Sequence, residues 1–382
     1  MPSLKNESLM SSKKGSKRKL SDTDHGHGLR TRVTDTRHGL TLGDIGEFGL
    51  INRVRKWMSS SPPALLQGIG DDVAVMEMGN RILLATTDVL IEGIHFERSW
   101  TDPYRLGKKS LAVNLSDIAA MGGTPRYFLV SLGLPKDLPL SYISRFYLGL
   151  KATAKRYRVD LVGGNTSLSK KMMITVCLLG EGKKKDLLFR DGARVGDELF
   201  VSGTLGDSAL GLKILQKKGP RKGPRQLIER HLSPCPRVEL GQAIARHRCA
   251  TAMIDISDGL LSDTRHIMEE SNVGAMIWED RIPLSPSYRR ASAMYSKNPV
   301  HMAVSGGEDY ELLFTAPPEK KGEISSLSRS LKIPIACVGR ILPKAKKLII
   351  VRNDETTYVP SRFGFDHFTQ GSRGQGFKGS SR

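Results

Sequence analysis

Acidic residues form five short clusters in this sequence, at the ends of predicted strands or inside a predicted helix. An isolated acid at such a place is most often a cap or a turn residue, so no cluster is informative alone. Five clusters in one chain favour a shared cation site, and Asp and Thr oxygens suit Mg²⁺. Because substrate phosphates commonly complete the coordination of Mg²⁺, the set predicts a nucleotide site. The clusters are Gly68–Asp72, Thr86–Asp88, Asn114–Asp117, Asp255–Gly259 and Ser305–Asp309.

Asp117 is the most informative of these acids, because its neighbours are apolar. Ile118, Ala119 and Met121 place it beside the apolar face of a predicted helix. A buried carboxylate costs free energy unless it is paired or bound to a cation. We therefore expect Asp117 to bind the cation, whereas Asp258 could also serve simply as a helix cap.

Three further features could complete a nucleotide site. Gly163–Gly164 follow a predicted strand, Val159–Val162, and their backbone amides could bind phosphate in a turn. Arg190 carries a planar guanidinium that suits phosphate oxygens. His95 follows the second acidic cluster and could face the same pocket, with a structural role as the alternative.

Several common catalytic motifs are absent. The sequence has no G-x-x-x-x-G-K-[ST] loop, no HRD or DFG motif and no H-E-x-x-H pair. These absences argue against a P-loop protein, a protein kinase and a zinc metalloprotease. The nucleotide must therefore be held by another type of site.

Hydrophobic periodicity predicts a mixed succession of helices and strands around these clusters. Asp102 followed by Pro103 marks a helix start, and Gly122–Gly123 mark its end near Met121. Strands and helices do not alternate regularly, which predicts an α+β protein in two halves divided near residue 190. The other predicted helices are 45–58, 140–157, 207–217, 237–248, 259–270 and 319–331, and the predicted strands are 73–78, 81–86, 127–134, 159–162, 172–179, 198–202, 252–256, 275–278, 311–315 and 335–338.

The net charge of +20 is spread over the whole chain. A basic surface attracts anions, including phosphorylated metabolites and nucleic acids. We expect nucleic acid to be at most a weak partner, through the basic tails, because no nucleic-acid-binding motif accompanies the charge. Residues 1–42 and 369–382 are rich in polar and basic residues and are predicted to be disordered tails.

The cysteines and the apolar runs bear on the cellular compartment. Four cysteines, none in a CxxC pair, indicate neither a zinc site nor a disulfide framework. No apolar run approaches the ~18 residues that a membrane helix needs, and the N-terminal residues lack a signal-peptide h-region. We expect a cytoplasmic protein without a membrane partner.

With these features the chain resembles the thiamine-monophosphate kinases, which belong to the superfamily of aminoimidazole ribonucleotide synthetase and have the PurM-like fold. The resemblance runs from Gly46 to Phe368 and keeps the order of the motifs. IDISDGL together with SGGEDYELLFT is the most specific combination. The motifs are GEFGLI, GIGDDVAVM, TTDVLIEGIHF, AVNLSDIAAMGGTP, LVGGNTS, SGTLGDSALGL, IDISDGLLSD, SGGEDYELLFT and GFDHF.

The resemblance implies an enzyme that phosphorylates thiamine monophosphate to thiamine diphosphate with ATP and several Mg²⁺ ions. The phosphoryl group would pass directly and in line, without a phosphoenzyme. The resemblance also implies two domains, with residues 43–190 carrying the Mg²⁺ and ATP site and pairing two chains into a homodimer. Residues 191–368 would form the C-terminal domain.

The resemblance also assigns roles to individual residues. The implied catalytic residues are Asp117, Asp258 and Arg190. The implied Mg²⁺ ligands are Asp72, Thr86, Thr87, Asp88, Asp117, Asn165, Asp255 and Asp258. ATP would contact Gly164, Asn165, Arg190 and Ser257, and the thiamine substrate would contact His95, Glu308 and Phe363.

Two positions depart from the family pattern. Asn165 stands where the family usually has Asp, so a ligand oxygen remains but one negative charge is lost. Arg362, next to Phe363, stands where the family often has an aromatic residue that stacks on thiamine. Either residue could meet the substrate.

Other activities stay open at this point. Aminoimidazole ribonucleotide synthetase, selenophosphate synthetase and hydrogenase maturation proteins share the superfamily. A selenophosphate synthetase would carry a reactive Cys or selenocysteine near its N-terminus, and no Cys precedes Cys177 here. A nucleic-acid-binding protein that kept the fold is the alternative from another class, and only the net charge favours it.

Overall fold

The computed structural model describes residues 40–58, 62–217, 223–360, 363, 364 and 368. The two predicted tails lie outside these residues, apart from 40–42, and so does Arg362. Among the described helices, none is both long enough and apolar enough to cross a membrane.

The first half of the described chain mixes three helices with six strands. The helices are α1 (Leu42–Trp57), α2 (Pro103–Ala120) and α3 (Leu140–Tyr157), and the strands are β1 (Leu65–Gln67), β2 (Ala74–Met78), β3 (Arg81–Ile91), β4 (Thr124–Leu134), β5 (Asp160–Leu168) and β6 (Met173–Gly182). The strands form one sheet in the order β1-β2-β3-β6-β4-β5, in which β4 and β5 pair in parallel and the other neighbours are antiparallel.

The second half contains a seven-stranded sheet in the order β13-β12-β9-β11-β7-β10-β8. Its strands are β7 (Glu198–Ser202), β8 (Ala252–Asp255), β9 (Gly274–Trp278), β10 (Leu312–Ala316), β11 (Ile335–Leu342), β12 (Leu348–Val351) and β13 (Thr357–Tyr358). Its helices are α4 (Asp207–Gln216), α5 (Arg225–Leu232), α6 (Val238–Arg246), α7 (Leu260–Ser271), α8 (Pro286–Ala291), α9 (Pro299–Ser305) and α10 (Lys321–Leu331). Two sheets with irregularly placed helices confirm the predicted α+β class.

Helix α2 forms where the sequence predicts it. The Asp102 carboxylate accepts a hydrogen bond from the Arg105 amide at 3.1 Å, and Pro103 occupies the first turn. Gly122, with φ of +68°, follows the end of the helix. Most of α2 is buried, so the helix carries its polar side chains into the interior of the protein.

Glycines let α2 approach its neighbours closely. A Cβ atom on Gly107 would lie 2.0 Å from the Phe146 carbonyl oxygen of α3. A Cβ atom on Gly241 of α6 would lie 2.0 Å from the Ala119 carbonyl oxygen. Helix α2 therefore packs directly on helices from both halves of the chain.

One hydrophobic core cluster includes residues from both sides of residue 190. It contains Leu115 and Val176 from the first half, and Leu240 and Phe314 from the second. A second cluster lies within the second half, around Leu199, Ile254 and Leu313. The predicted boundary near residue 190 falls between β6 and β7, and the two halves share apolar contacts across it.

Two local predictions are wrong. Gly163–Gly164 and Asn165 do not form a turn, because they lie inside the edge strand β5, where pairing with β4 outweighs their weak strand preference. Thr86–Asp88 do not close their strand, because β3 continues through apolar residues to Ile91 and pairs with β6 along that length. The sequence prediction also omitted β1, α5, α8, α9, β12 and β13.

Candidate active site

Three carboxylates from different elements meet at the junction of the two halves. Asp72 precedes β2, Asp117 lies on α2 and Asp255 ends β8. One side-chain oxygen of each lies within 4.8 Å of the other two. We call Asp72, Asp88, Asp117 and Asp255 the acid centre, because the charges of these four residues influence one another.

Neighbouring side chains fix the orientation of the acid centre. The Thr86 hydroxyl donates to Asp117 Oδ2 at 2.6 Å, and the Ser116 hydroxyl donates to Asp255 Oδ2 at 2.6 Å. Thr86 lies in β3 and faces α2, so the strand supplies a donor that holds a carboxylate of the helix. The Asp88 amide of the same strand donates to Asn114 Oδ1 at 3.1 Å.

Arg190 is the cation that the structure places against these acids. Its guanidinium Nη2 donates to Asp72 Oδ1, and its backbone amide donates to Asp71 Oδ2 at 3.2 Å. Asp72 Oδ2 is buried and has no hydrogen-bond partner among the described residues. The predicted phosphate-binding arginine is therefore ion-paired, and one carboxylate oxygen stays unsatisfied beside it.

Burial and like charge raise the pKa values of these acids. Burial, followed by the Asp72 charge, raises the pKa of Asp88 to about 6 and that of Asp255 to about 8. Burial and the charges of Asp88 and Asp255 raise the pKa of Asp117 well above its ordinary value. Such a group favours a bound divalent cation, which would stabilise all of the carboxylates in their charged form.

A second acidic group adjoins the acid centre. Side-chain atoms of Asp258, Asp263 and His266 lie within 4.8 Å of one another. Asp263 Oδ2 accepts a hydrogen bond from the Gly259 amide at 3.0 Å, and burial raises the pKa of Asp263 well above its ordinary value. Sequence reasoning omitted Asp263 and His266, although Asp263 follows Asp258 within the first turn of α7.

Glu308 binds two buried basic side chains. Lys109 Nζ lies 2.8 Å from Glu308 Oε1, and His231 Nδ1 lies 3.0 Å from Glu308 Oε2. Burial opposes ionisation of Glu308, but the Lys109 ammonium and His231 together hold the pKa of its carboxyl below the ordinary value. Sequence reasoning missed Lys109 and His231. A lysine among apolar residues of α2 is the same signal that drew attention to Asp117.

A small pocket adjoins this ion pair. Its lining includes His95, Trp100, Lys109 and His231. His95 Nδ1 accepts a hydrogen bond from the Ile91 amide at 3.0 Å, so its Nε2 carries the proton of the neutral ring. His95 therefore lines the same pocket as Lys109 and His231, the two residues that bind Glu308.

Gly164 and Asn165 lie away from the acid centre within this chain. Register across the sheet places Gly164 opposite Val130, Val130 opposite Val176 and Val176 opposite Asp88. Three strand spacings amount to about 14 Å. Both residues are exposed on the edge strand.

Asn165 also faces the other side of the sheet. Across the neighbouring strands Asn165 is paired in register with Ser131, then Thr175, then Val89. Asp88 is the residue next to Val89 in β3. Successive residues of a strand point to opposite faces. Thr87 likewise points away from α2, and its hydroxyl donates to the Val176 carbonyl at 3.1 Å.

Ser257 and Phe363 occupy distinct surroundings. The Ser257 carbonyl accepts a hydrogen bond from the Glu308 amide at 2.7 Å, which joins the two acidic motifs of the second half. The guanidinium carbon of Arg265 lies 5.0 Å from the centre of the Phe363 ring, and that ring packs against the second core cluster. The structure therefore gives Phe363 a cation partner within the protein.

Comparisons with known proteins agree with this architecture. Residues 70–182 match the family model of the N-terminal domain of AIR synthase related protein, and residues 194–351 match that of the C-terminal domain. The thiamine-monophosphate kinase of Aquifex aeolicus (strain VF5) is 44% identical over 283 residues, or 74% of this chain and 89% of that protein. The thiamine-monophosphate kinase of Haemophilus influenzae (strain ATCC 51907 / DSM 11121 / KW20 / Rd) is 38% identical over 335 residues, or 85% of this chain and 99% of that protein.

A solved structure also aligns with most of the chain. The structure of AaThiL complexed with AMPPCP and TMP has a TM-score of 0.76 and 40% sequence identity, and the alignment covers 87% of this chain and 100% of that one. Together with the two domain matches, this similarity confirms the predicted PurM-like fold.

Proposed function

We propose the activity of this chain from one premise: it belongs to the AIR synthase related family and, within it, to the thiamine-monophosphate kinases. The chain transfers the terminal phosphoryl group of ATP to thiamine monophosphate and so makes thiamine diphosphate. The observation that carries the chemistry is the acid centre, where buried carboxylates converge beside Arg190 and one oxygen of Asp72 has no hydrogen-bond partner among the described residues.

The residues present fit magnesium. Asp72 Oδ2 is buried without a partner, and oxygen atoms of Asp72, Asp117 and Asp255 lie close enough together to bind one ion. Carboxylate oxygens are the ligands that Mg²⁺ prefers. We assign several Mg²⁺ ions to the carboxylates of the acid centre and of Asp258, with the Thr86 oxygen as a further ligand. Thr87 and Asn165 face the other side of the sheet, so they would act as ligands only in the dimer proposed below. Bound Mg²⁺ would screen the charges of the phosphate groups during the transfer.

The protein's own residues hold the two substrates in place. Arg190, which is fixed by Asp72, would direct its remaining donors to the phosphates of ATP, and Ser257 and Gly164 would contact the nucleotide. His95 and Glu308 would bind the thiamine end, because His95 lines the pocket and Glu308 binds Lys109 and His231, which line it too. Phe363, whose ring lies against Arg265, would add an aromatic contact to the thiamine substrate.

The reaction needs positioning more than acid–base chemistry. A phosphate oxygen of thiamine monophosphate attacks the γ-phosphorus, and the bond from that phosphorus to the β–γ bridging oxygen breaks as ADP leaves. The second pKa of a phosphate monoester is about 6, so the attacking oxygen is largely ionised at neutral pH. No protein base is required, and transfer is direct and in line, without a phosphoenzyme. Asp117, Asp258 and Arg190 would act by holding cations and phosphates.

The exposed face of the first sheet supports a homodimer. Val89, Tyr127 and Val162 are 39%, 49% and 56% exposed, and all residues of β5 are exposed. Contiguous apolar surface of this kind is typical of an interface. A second copy packed on this sheet would bury β5, so Gly164 and Asn165 would act in the nucleotide site as part of a dimer. We retain residues 43–190 and 191–368 as the proposed domains and the cytoplasm as the proposed compartment.

The decisive experiment detects the product. The purified full chain, incubated with ATP, Mg²⁺ and thiamine monophosphate, should form thiamine diphosphate and ADP in equal amounts. Unphosphorylated thiamine and a reaction with EDTA serve as negative controls. ADP release that does not depend on thiamine monophosphate, without thiamine diphosphate, would overturn the proposal and favour another ATP-using member of the superfamily.

A further inference from the structure

Tyr310 occupies an unusual backbone conformation beside the acid centre. Its φ is +51°, and that of Glu308 is +65°, in a region that residues other than glycine rarely adopt. The Tyr310 amide donates to the Ile256 carbonyl at 2.9 Å, next to Asp255. The segment therefore presses against the end of β8, and a strained backbone of this kind persists only where its surroundings hold it.

The residues on both sides of Tyr310 are anchored. Asp309 accepts hydrogen bonds from the Gly206 and Ser208 amides at 2.7 and 3.3 Å. Glu311, which is fully buried, accepts from Arg230 at 2.7 Å and also from Arg237. These contacts fix the backbone before and after Tyr310.

The hydroxyl of Tyr310 has no hydrogen-bond partner among the residues that the structure describes. The residue is 8% exposed, and its hydroxyl makes no hydrogen bond with any residue in the described part of the chain. A buried phenol normally finds a hydrogen-bond partner, which indicates that a ligand supplies one here.

The charges of nearby acidic groups act on this hydroxyl. Burial, followed by the charges of Glu308, Asp88, Asp255 and Asp117, raises the pKa of Tyr310 well above its ordinary value. The hydroxyl therefore stays neutral and keeps its proton for donation. The backbone places Tyr310 between Glu308, whose amide binds the Ser257 carbonyl, and the end of β8, because the Tyr310 amide binds the Ile256 carbonyl next to Asp255.

We propose that the Tyr310 hydroxyl donates a hydrogen bond to the phosphate of the acceptor substrate. The inference rests on the proposed function, because the acceptor phosphate must lie between the thiamine pocket at Glu308 and the γ-phosphoryl group at the acid centre. The anionic phosphate of that substrate would supply the hydrogen-bond acceptor that the Tyr310 hydroxyl lacks among the described residues. Tyr310 is then a substrate-contacting residue that distinguishes a phosphorylated acceptor from an unphosphorylated one.

The test compares Tyr310→Phe with Tyr142→Phe. Tyr142 is a suitable control because its hydroxyl is also buried without a hydrogen-bond partner among the described residues, but it lies on α3. Both changes keep the ring and remove one hydroxyl. For Tyr310→Phe we expect kcat/KM for thiamine monophosphate to fall about tenfold to a hundredfold, the usual effect of losing a hydrogen bond to a charged group. KM for ATP and the Tm should match those of the control.

A binding measurement separates this role from a structural one. By calorimetry with AMPPCP and Mg²⁺ present, Tyr310→Phe should weaken binding of thiamine monophosphate about tenfold or more and leave binding of thiamine unchanged. Equal weakening for both ligands, a loss confined to KM for ATP, or kinetics equal to those of Tyr142→Phe would overturn the inference. Wild-type protein that forms no thiamine diphosphate would instead count against the proposed function itself.

Discussion

The ammonium of Lys109, on α2, lies 2.8 Å from the carboxylate of Glu308, in the loop before β10. Lys109 is 3% exposed, so the contact is an interior one that joins the two halves of the chain. Glu308 also binds His231, which keeps the carboxylate between two basic groups. The predicted substrate-binding acid is therefore held in a fixed place by residues that the motifs do not reveal.

Lys109→Met should reduce both stability and use of thiamine monophosphate. The change leaves Glu308 with His231 alone, and loss of a charged hydrogen bond of this kind costs about 1.5–3 kcal/mol. The misplaced carboxylate should raise KM for thiamine monophosphate more than KM for ATP. Thermal unfolding and steady-state kinetics measure the two effects, and Lys108→Met, at the partly buried neighbouring position, is the matched control. Equal Tm values for the two variants would contradict this prediction.

Acid should abolish the contribution of this pair to stability. Because the folded-state pKa of Glu308 lies below its ordinary value of 4.5, the stabilisation is present above that pH and is lost as pH falls below it. The difference in Tm between wild type and Lys109→Met should therefore be largest near neutral pH and shrink in strong acid. A difference that does not change with pH would indicate a packing effect alone.

Asp117→Asn should lower kcat by about a hundredfold or more, because the site loses one of the charges that hold the cations. The Thr86 hydroxyl still has an oxygen to bond, so the fold should persist. In EDTA the variant should be at least as stable as wild type, since the amide replaces a carboxyl whose ionisation is opposed by burial and by neighbouring negative charges. Scanning fluorimetry with and without Mg²⁺ tests this, and Asp137→Asn, at an exposed position, controls for charge alone. Wild-type kcat in purified Asp117→Asn would remove Asp117 from the metal site.

The metal-free protein should lose stability as pH rises. The pKa values of Asp88 and Asp255 are raised from 3.8 to about 6 and about 8. Between pH 3.8, where the unfolded carboxyls titrate, and about pH 8, the folded protein holds more protons than the unfolded chain. Its free energy of unfolding therefore falls as pH rises over this range. Mg²⁺ should reverse the trend, because it favours the ionised carboxylates. Tm values from pH 5 to pH 8 in EDTA and in Mg²⁺ test this, with NaCl at equal ionic strength as control. Parallel curves in the two solutions would contradict the prediction.

Asn165→Asp should lower the Mg²⁺ concentration needed for half-maximal rate, because it adds a negative charge to the proposed metal ligands. Within one chain, residue 165 faces away from Asp88, so the effect should require the proposed dimer. Ser167→Asp is the matched control, two residues along on the same face of β5. Mg²⁺ titrations at protein concentrations above and below the dissociation constant of the dimer measure the effect. Superimposable curves for Asn165→Asp and wild type would mean that residue 165 does not reach the metal.

The sequence predicted the acid centre because its signal is local. A carboxylate among apolar residues, as at Asp117, and acids at the ends of strands, as at Asp255, are costly without a shared cation. The start and end of α2 were also predictable, since Asp102, Pro103 and Gly122 act through the backbone of their own segment. Such signals depend on residues close together in sequence, so they can be recognised without knowing how distant segments pack.

Other features depended on long-range pairing and were decided only by the tertiary structure. Strand β5 includes Gly163–Gly164 because β4 supplies its hydrogen bonds, and register across the sheet then turns Asn165 away from Asp88. The contacts of Glu308 with Lys109 and His231, and the hydrogen bond from the Tyr310 amide to the Ile256 carbonyl, join segments that are distant in sequence. Residue types and spacing identify which groups carry charge, but the packing of both halves around α2 determines which of those charges meet.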